Sequence, residues 1–175
     1  LYYIDDSPAK FFVLSDRNNK KNFALYETDF NKTDELNWKV LLNHKKNELI
    51  EDFLCFKEFI IIETRKKGMP CLIQLDKKNN KKTYINFEDV AYTLNLVKNN
   101  DYNSNSFVFT YSSLKTPSSI YSQDLYTKKR EKLWTQKILN HKENNYEIKR
   151  ISILARDGTR VPISLIHKKG VDLKK

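Results

Sequence analysis

Three histidines are the residues best suited to acid–base chemistry in this chain of 175 residues. His44 lies in the polar run NHKKN, His141 lies in a polar connector, and His167 ends the last strand that the sequence predicts. A catalytic triad needs a histidine between a serine and an acid that orients it. No spacing around these three residues implies such partners, so we expect all three to be structural or exposed.

Adjacent carboxylates are the second set of residues considered for acid–base chemistry. The pairs considered are Asp5–Asp6, Glu51–Asp52 and Glu88–Asp89. Neighbouring side chains of a strand point to opposite faces of its sheet. Two adjacent carboxylates therefore cannot share acid–base work, and we assign these pairs to loops and strand ends.

The sequence also lacks the motifs of a catalytic nucleophile, a metal site and a phosphate-binding loop. A nucleophile elbow has the form G-x-S-x-G, but none of the three glycines, Gly68, Gly158 and Gly170, lies two residues from a serine. Cys55 and Cys71 form a C-x15-C pair with no neighbouring cluster of His or Cys, which is not a zinc spacing. We expect both cysteines to be buried free thiols in a reducing compartment. The prediction is a chain without catalytic, cofactor-binding or metal-binding residues.

The elements that carry these residues repeat along the chain. FFVLSDR begins at Phe11, FIIIETR at Phe59 and FVFTYSS at Phe107, at spacings of 48 and 48 residues. A second run follows each of these, and successive second runs are 48 and 49 residues apart. A third run follows in turn, and successive third runs are 45 and 49 residues apart. The second and third runs are NFALYETD, PCLIQLD and SIYSQDL, then WKVLL, TYINF and KLWTQ. A further strand precedes each group: LYYID, LIEDFLCF and YTLNLV.

Twelve short strands in three groups of four predict an all-β fold. The runs are rich in β-branched and aromatic residues, and polar turn sequences separate them. A four-stranded antiparallel unit that repeats every 45 to 50 residues is typical of a β-propeller blade. Propellers close with four to eight blades, and the chain starts at Leu1 without a methionine. We therefore expect an incomplete propeller of about three blades with further blades upstream; a plain β-sandwich is the competing interpretation.

Two blade residues are second-tier candidates for a functional role. Arg65 ends the run FIIIETR, and Tyr111 lies within FVFTYSS, near the point where each strand becomes polar. Such positions line the central channel of a propeller or face a neighbouring domain. The simpler interpretation is that both residues make contacts between blades.

The net charge of +10 raises the question of nucleic acid. The lysines are dispersed, mostly as pairs in turns, where solvated charges discourage sheet edges from pairing. No recognition helix, zinc finger or RNP-type aromatic motif accompanies them. The apolar run FIII at 59–62 is too short to span a bilayer. The prediction is a protein that binds neither nucleic acid nor membrane.

The pattern changes after residue 136. Residues 137–145 look like a connector, and 146–155 alternate as a strand. Asp157-Gly158 is a strong hairpin signal, and the return strand VPISLIHK contains Pro162, which restricts it to an edge or an early position. A two-stranded hairpin is expected here.

This hairpin carries a resemblance to a known family. RDGTRVPISLIHKKG (156–170) resembles the strand pair that opens the peptidase domain of the prolyl oligopeptidase family of serine peptidases. FVFTYSSLKTPSSIYSQDL (107–125) resembles the last propeller blade of that family, with its YSS-x-x-x-P element at 111–117. SDRNNKKNFALYETD and FKEFIIIETRKKGMPCLIQLD are similar to the oligopeptidase B (protease II) branch.

The resemblance implies a two-domain enzyme. Its propeller, for which this chain supplies about 1–45, 46–88 and 89–136, excludes large folded substrates from an α/β-hydrolase domain. That domain would begin with the hairpin at 146–175, truncated here, and carry a Ser-His-Asp triad after Lys175. The implied activity is hydrolysis of short peptides after Arg or Lys in the cytoplasm. The missing upstream blades and downstream hydrolase domain are the expected intramolecular partners, and no cofactor is expected.

Three other interpretations remain open at this point. The chain could be a stand-alone propeller-like module that binds another protein, or a basic protein that binds nucleic acid. The hairpin motif is also shared with prolyl oligopeptidase itself. The 175-residue segment alone is predicted to be catalytically inactive.

Overall fold

A computed structural model describes residues 2–172 of the chain. Leu1 and residues 173–175, which belong to the predicted first and last segments, lie outside the described residues. The fold is almost entirely β: three four-stranded antiparallel sheets are followed by one two-stranded sheet. Two 3₁₀ turns, Glu35–Asn37 and Glu143–Asn145, are the helical segments of the described part.

Each four-stranded sheet contains four strands that are consecutive in the chain and adjacent in space. Sheet 1 consists of β1 (Tyr2–Asp6), β2 (Lys10–Ser15), β3 (Ala24–Asp29) and β4 (Lys39–Leu42). Sheet 2 consists of β5 (Glu48–Cys55), β6 (Phe59–Lys66), β7 (Met69–Asp76) and β8 (Lys82–Ile85). Sheet 3 consists of β9 (Tyr92–Leu96), β10 (Ser106–Ser113), β11 (Ser119–Asp124) and β12 (Arg130–Thr135). All twelve predicted strands are therefore present.

Alternation along β6 shows how the sheets stack on one another. Ile60, Ile61 and Ile62 are all fully buried. Ile60 and Ile62 pack into a cluster with sheet 1, whereas Ile61 packs into a cluster with sheet 3. Because successive side chains of a strand point to opposite faces, one continuous apolar run supplies two interfaces. Sheet 2 is thus covered on both faces.

The first strands of the three sheets lie side by side. β1 contacts β5, and β5 contacts β9. The Asp5 carboxylate accepts a hydrogen bond from the Cys55 backbone N–H at 3.2 Å. The outer strands β4, β8 and β12 are mostly exposed. Sheets that stack face to face around a shared set of inner strands are propeller blades, so the predicted fold class is confirmed.

Three register shifts interrupt the otherwise regular pairing. One lies between Leu25 and Tyr26 in the pairing of β3 with β4, and a second lies between Ile120 and Tyr121 in the pairing of β11 with β12. The third lies in β5 at Glu51. The assignment of Glu51–Asp52 to a loop or strand end was therefore wrong: both lie inside β5, at a β-bulge that leaves Glu51 unpaired in the ladder.

The two-stranded sheet is the hairpin of β13 (Tyr146–Leu154) and β14 (Arg160–Lys168). The turn between them contains Gly158 at φ +81, as the Asp-Gly signal predicts. Pro162 is the third residue of β14 and lies opposite Ser152. β14 pairs with β13 on one side, so in the described structure its other side is an edge, as proline requires.

Candidate functional site

The hairpin lies against one end of the stacked blades, which we call the junction face. This face is formed by the turn after β6, the linker between β8 and β9, and the loop 114–118 between β10 and β11. The connector 137–145 runs across it.

The turn after β6 is shaped by two consecutive residues with positive φ. Lys67 has φ +50 and Gly68 has φ +74. Two such residues form the type I′ turn that matches the twist of the flanking strands. Glycine adopts this backbone without steric cost, whereas lysine adopts it under mild strain. The turn presents the Lys67 carbonyl to the hairpin.

Arg150 of β13 is the main contact of the hairpin with this turn. Its Nη2 donates to the Lys67 carbonyl at 2.8 Å, and its Nη1 is directed at the Met69 sulfur. A Cβ atom at position 68 would lie 3.3 Å from Nη2 of Arg150. The guanidinium is therefore packed directly on the turn, and the absence of a side chain at Gly68 makes room for it.

Arg65 lies near the end of β6, next to the same turn, and lines a cleft together with residues of the hairpin. Its Nε donates to the Glu51 carboxylate at 2.7 Å, and this bond raises the pKa of the guanidinium. The partner is the bulged residue of β5, so the β-bulge directs a carboxylate toward the end of β6. Of the two second-tier candidates, Arg65 is the one that faces the neighbouring segment rather than a blade.

Tyr111 instead lies between blades. It is 8% exposed and stacks on Phe87 and Tyr92 at centroid distances of 5.4 Å. Its hydroxyl donates to Asp89 Oδ2 at 2.8 Å. Burial raises the pKa of Tyr111, and the Asp89 carboxylate raises it further. Tyr111 is therefore a neutral structural donor, in agreement with the simpler interpretation.

Asp89 collects the polar contacts of the linker. Besides the Tyr111 hydroxyl, it accepts the Lys115 ammonium at 3.1 Å. Burial acts to raise the pKa of Asp89, but the hydrogen bonds from Tyr111 and Lys115 outweigh burial and hold the pKa below its ordinary value. The Thr116 hydroxyl lies between Asp89 Oδ2 at 3.3 Å and Glu143 Oε2 at 3.2 Å. The connector is attached to sheet 3 through this hydroxyl.

An aromatic cavity of about 310 Å³ opens beside Asp89, between the linker that follows β8 and sheet 3. The Arg130 guanidinium covers its Phe87 and Phe109 rings at 4.6 and 5.3 Å from the centroids. Arg130 also donates to Gln123 Oε1 at 2.9 Å and to the Asn86 carbonyl at 3.3 Å. The cavity's cation–π positions are thus filled by the chain's own arginine, which holds the linker against sheet 3.

His141 supplies the second contact of the connector with the junction face. Its Nε2 lies 2.6 Å from the Lys115 carbonyl, so this nitrogen carries a hydrogen and donates. The ring stacks on Tyr146 at 5.6 Å between centroids. His141 thus fixes the connector at the point where β13 begins, which is a structural role.

The other two histidines contact different parts of the structure. His44 Nδ1 accepts the Asn22 backbone N–H at 3.3 Å. His167 Nδ1 lies 2.9 Å from the Lys168 carbonyl, and its Nε2 lies 3.8 Å from Glu147. Within residues 2–172, no histidine ring is hydrogen-bonded to a serine hydroxyl.

The cysteines are both free. Cys55 is buried, and burial raises the pKa of its thiol, so the sulfur stays protonated and unreactive. Cys71 is only partly buried, which corrects the expectation that both thiols would be enclosed. In the described part of the chain, no group of three or more His, Cys, Asp and Glu side chains could hold a metal ion, and no helix is long and apolar enough to cross a membrane.

Arg150 and the Thr116–Glu143 contact were not anticipated from the sequence. Both join segments that are distant along the chain: Arg150 and Lys67 are 83 residues apart. A signal was present, because an arginine in an otherwise Ile-rich alternating strand at 146–154 lies on a face that must meet something polar. The arrangement as a whole positions a hairpin on a propeller.

Comparison with known proteins agrees with this architecture. The model of the prolyl oligopeptidase N-terminal β-propeller domain matches residues 1–136. The chain belongs to this family. The match covers sheets 1 to 3 and ends where the connector begins.

Relatives of the prolyl oligopeptidase family cover the hairpin as well. Dipeptidyl aminopeptidase BI of Pseudoxanthomonas mexicana is 23% identical over 171 residues, which is 97% of this chain and 24% of that protein. Oligopeptidase B of Trypanosoma brucei, in a closed form with covalently bound antipain, superposes with a TM-score of 0.87 at 24% identity, over 100% of this chain and 26% of that one. Oligopeptidase B of Leishmania major superposes with a TM-score of 0.85 at 18% identity, over 100% and 26%. The chain thus spans about a quarter of the length of these proteins.

Proposed function

We propose that this chain is the propeller and junction segment of a serine-type oligopeptidase of the oligopeptidase B kind. In this proposal residues 1–136 form blades of the propeller, 137–145 connect, and 146–175 are the first strands of the peptidase domain. The segment contributes no catalytic residue. The Ser-His-Asp triad lies in a hydrolase domain encoded after Lys175.

One observation carries the proposal: a match to the family's propeller ends at residue 136, and the next element is a hairpin docked on that propeller. Two of the structures that the chain superposes on over its full length are oligopeptidases B. The position of Arg150 on the type I′ turn supports a junction role, because a polar contact of this kind sets the orientation of one unit against another.

The proposed substrates are short peptides that are cleaved after Arg or Lys. The chain carries a net charge of +10, and a basic surface repels basic peptides. We therefore place the acidic groups that recognise Arg and Lys in the downstream domain, with the propeller acting as a size filter. The two free thiols are compatible with the proposed cytoplasmic location.

The first test is genetic and enzymatic together. The reading frame after Lys175 is expected to encode a G-x-S-x-G motif followed by an Asp and then a His. The product of the whole gene should release a fluorophore from a short peptide substrate ending in Arg or Lys, and a serine-directed inhibitor should abolish this. A stop codon shortly after Lys175 would overturn the proposal and favour a stand-alone protein-binding module.

Two controls separate the parts of the proposal. The 175-residue chain alone should show no turnover of the same substrate; turnover that a serine-directed inhibitor abolishes would overturn the assignment of an inert segment. A matched peptide with Glu before the scissile bond should be a poor substrate of the whole protein. Equal cleavage of the two peptides would leave the peptidase class intact and overturn the basic preference.

A further inference from the structure

A second cleft, distinct from the aromatic cavity, lies between the hairpin and sheets 2 and 3. We call it the junction cleft; its volume is about 360 Å³. Sheets 2 and 3 form one side of the cleft, and the hairpin forms the other side. Its polar lining includes Arg65, Thr93, Ser112, Ser113, Arg150 and Ser164. Its apolar lining consists of Met69, Ala91, Tyr92 and Leu114.

The guanidinium of Arg150 is the unusual group of this cleft. Its described partners are the Lys67 carbonyl and the Met69 sulfur, both uncharged. Among residues 2–172, no carboxylate forms an ion pair with Arg150, whereas Arg17, Arg65 and several lysines each have one. A guanidinium has five N–H donors, so most of those of Arg150 remain available. The cleft therefore presents a cation without a counter-ion.

The surrounding charges reinforce this cation. Arg65 is neutralised by Glu51 at 2.7 Å, and its bond uses Nε. Lys66 and Lys67 on the adjacent turn are exposed and have no carboxylate within ion-pairing distance in the described structure. The turn thus adds positive potential at the mouth of the cleft. An anion entering it would be attracted by Arg150, Lys66 and Lys67, while the paired charges of Arg65 and Glu51 largely offset each other.

Two cross-strand pairs supply hydroxyl groups at opposite walls. Ser164 lies opposite Arg150 in the register of the hairpin, so both side chains project from the same face. Ser112 lies opposite Thr93 in sheet 3, and their hydroxyl oxygens are 2.7 Å apart. Ser164 has no hydrogen-bond partner for its side chain within the described residues. Arginine flanked by a free hydroxyl is a typical arrangement for binding an oxyanion.

We propose that the junction cleft binds the terminal carboxylate of a short peptide, with Arg150 as the ion-pairing group and Ser164 as a hydrogen-bond donor. A carboxylate matches the planar fork of a guanidinium. The apolar wall favours a peptide over a bare inorganic anion, because Met69, Tyr92 and Leu114 can cover an apolar side chain next to the carboxylate. The inference concerns binding to this chain and does not depend on the proposed peptidase activity.

The test uses the 175-residue chain and two probes that differ by one charge. N-acetyl-alanyl-leucine and its C-terminal amide are titrated at low salt, and binding is followed by chemical-shift changes of the Arg150 and Ser164 signals. The acid is expected to bind at least about tenfold more tightly than the amide, because a charge-assisted hydrogen bond is lost in the amide. Equal binding of the acid and the amide would overturn the proposal.

Variants locate the effect at the proposed residues. Arg150→Gln should weaken binding of the acid by about tenfold or more, whereas Arg156→Gln, in the exposed turn of the same hairpin, should leave it unchanged. Ser164→Asp retains Arg150 and places a carboxylate opposite it, where it competes with the acid for the guanidinium, so it should weaken binding to a similar degree. Because Ser164→Asp retains Arg150, this second variant tests the site even if Arg150→Gln displaces the hairpin. Unchanged binding in Ser164→Asp would contradict the inference.

Inorganic phosphate is the third probe and separates a peptide site from a general anion site. Phosphate is expected to compete weakly, at concentrations far above those of the acid. Competition at equal concentrations would overturn the assignment to a peptide carboxylate. Binding of the acid should also weaken as salt rises from about 50 to 300 mM, since the rim of the cleft is solvent-exposed.

Discussion

Two contacts of sheet 2 differ in kind. Its interface with sheet 3 is apolar, and Ile61, Phe107 and Phe109 are all at most 1% exposed there. Its contact with the hairpin instead depends on a guanidinium, a carbonyl and a cleft. Apolar packing is non-directional and proportional to buried area, whereas a polar contact fixes a geometry with little area. The blades are thus built for stability, and the junction is built to set an orientation.

The largest effect should come from the apolar interface. Phe109→Ala removes a fully buried ring from the cluster between sheets 2 and 3, so we expect a loss of about 3–5 kcal/mol in the free energy of unfolding. Leu154→Ala, on the hairpin at 67% exposure, should change it by less than about 0.5 kcal/mol. Urea denaturation followed by tryptophan fluorescence measures both. Similar losses in the two variants would contradict the contrast between the regions.

A smaller loss is expected at the end of the blades opposite the junction face. The Lys77 ammonium donates to the Phe56 carbonyl at 2.5 Å and lies 4.6 and 4.9 Å from the ring centroids of Phe12 and Tyr102. It therefore joins all three sheets, although burial lowers the pKa of its ammonium and offsets part of the gain. Lys77→Met should cost about 1–2 kcal/mol in the same denaturation experiment.

Lys78→Met provides the matched control for that variant. Lys78 is the next residue along the chain and is exposed. Its substitution should leave the free energy of unfolding within about 0.5 kcal/mol of the original. If Lys78→Met lowered the free energy of unfolding as much as Lys77→Met does, the stabilising role of the contact between Lys77 and the three sheets would be contradicted.

Two glycines with the same backbone conformation sharpen the comparison at the junction. Gly68 has φ +74 and Gly158 has φ +81, so alanine at either position should cost about 1 kcal/mol. The Cβ atom added at position 68 would meet Arg150 Nη2 at 3.3 Å, whereas the one added at 158 would meet nothing within 4 Å. Only Gly68→Ala should therefore shift the Nε–Hε signal of Arg150 in an NMR spectrum. A shift of this signal in Gly158→Ala alone would contradict the described junction.

The smallest effect is a dependence on pH within the blade interface. Glu63 is 5% exposed, its carboxylate accepts the Leu96 N–H at 3.0 Å, and burial raises its pKa above the ordinary value of 4.5. A raised folded-state pKa means that ionisation costs stability, so no cost exists below about pH 4.5 and the full cost is reached above the folded-state pKa. Relative to Glu63→Gln, the original chain should lose stability as the pH rises through this window. An original chain that gains stability relative to Glu63→Gln as the pH rises would contradict the assignment.

The strand pattern of the blades was predictable because it is local. Each strand occupies four to eight residues of β-branched and aromatic side chains, and the spacing of 48 residues reflects one blade. The inner and outer strands differ in burial for the same reason. The hairpin at 146–168 was predictable from the Asp-Gly turn and its alternating flanks.

The junction was not predictable in the same way. The contact of Arg150 with Lys67 depends on how the connector crosses the end of sheets 2 and 3, and no periodicity encodes that path. Glu51–Asp52 was misplaced although the predicted strand LIEDFLCF contains both residues, and the β-bulge at Glu51 leaves no signature in the residue types. Arg65 and Tyr111 have similar positions in their runs, yet Arg65 faces the hairpin and Tyr111 faces a blade. The alternation of a strand predicts which face of the sheet a side chain is on, but it does not predict what packs against that face.

The register shifts at the rim of the blades have a consequence for behaviour in a crowded solution. Open sheet edges can join with those of other molecules unless they are bent or charged. β4 and β12 are each paired through a bulge, which bends them. β8 pairs without a shift but begins at Lys82, directly after Lys81. Each outer edge of the three blades is thus bent or charged, which opposes fibre-like association with other molecules. The apolar side chains of the strands therefore serve the contacts between blades.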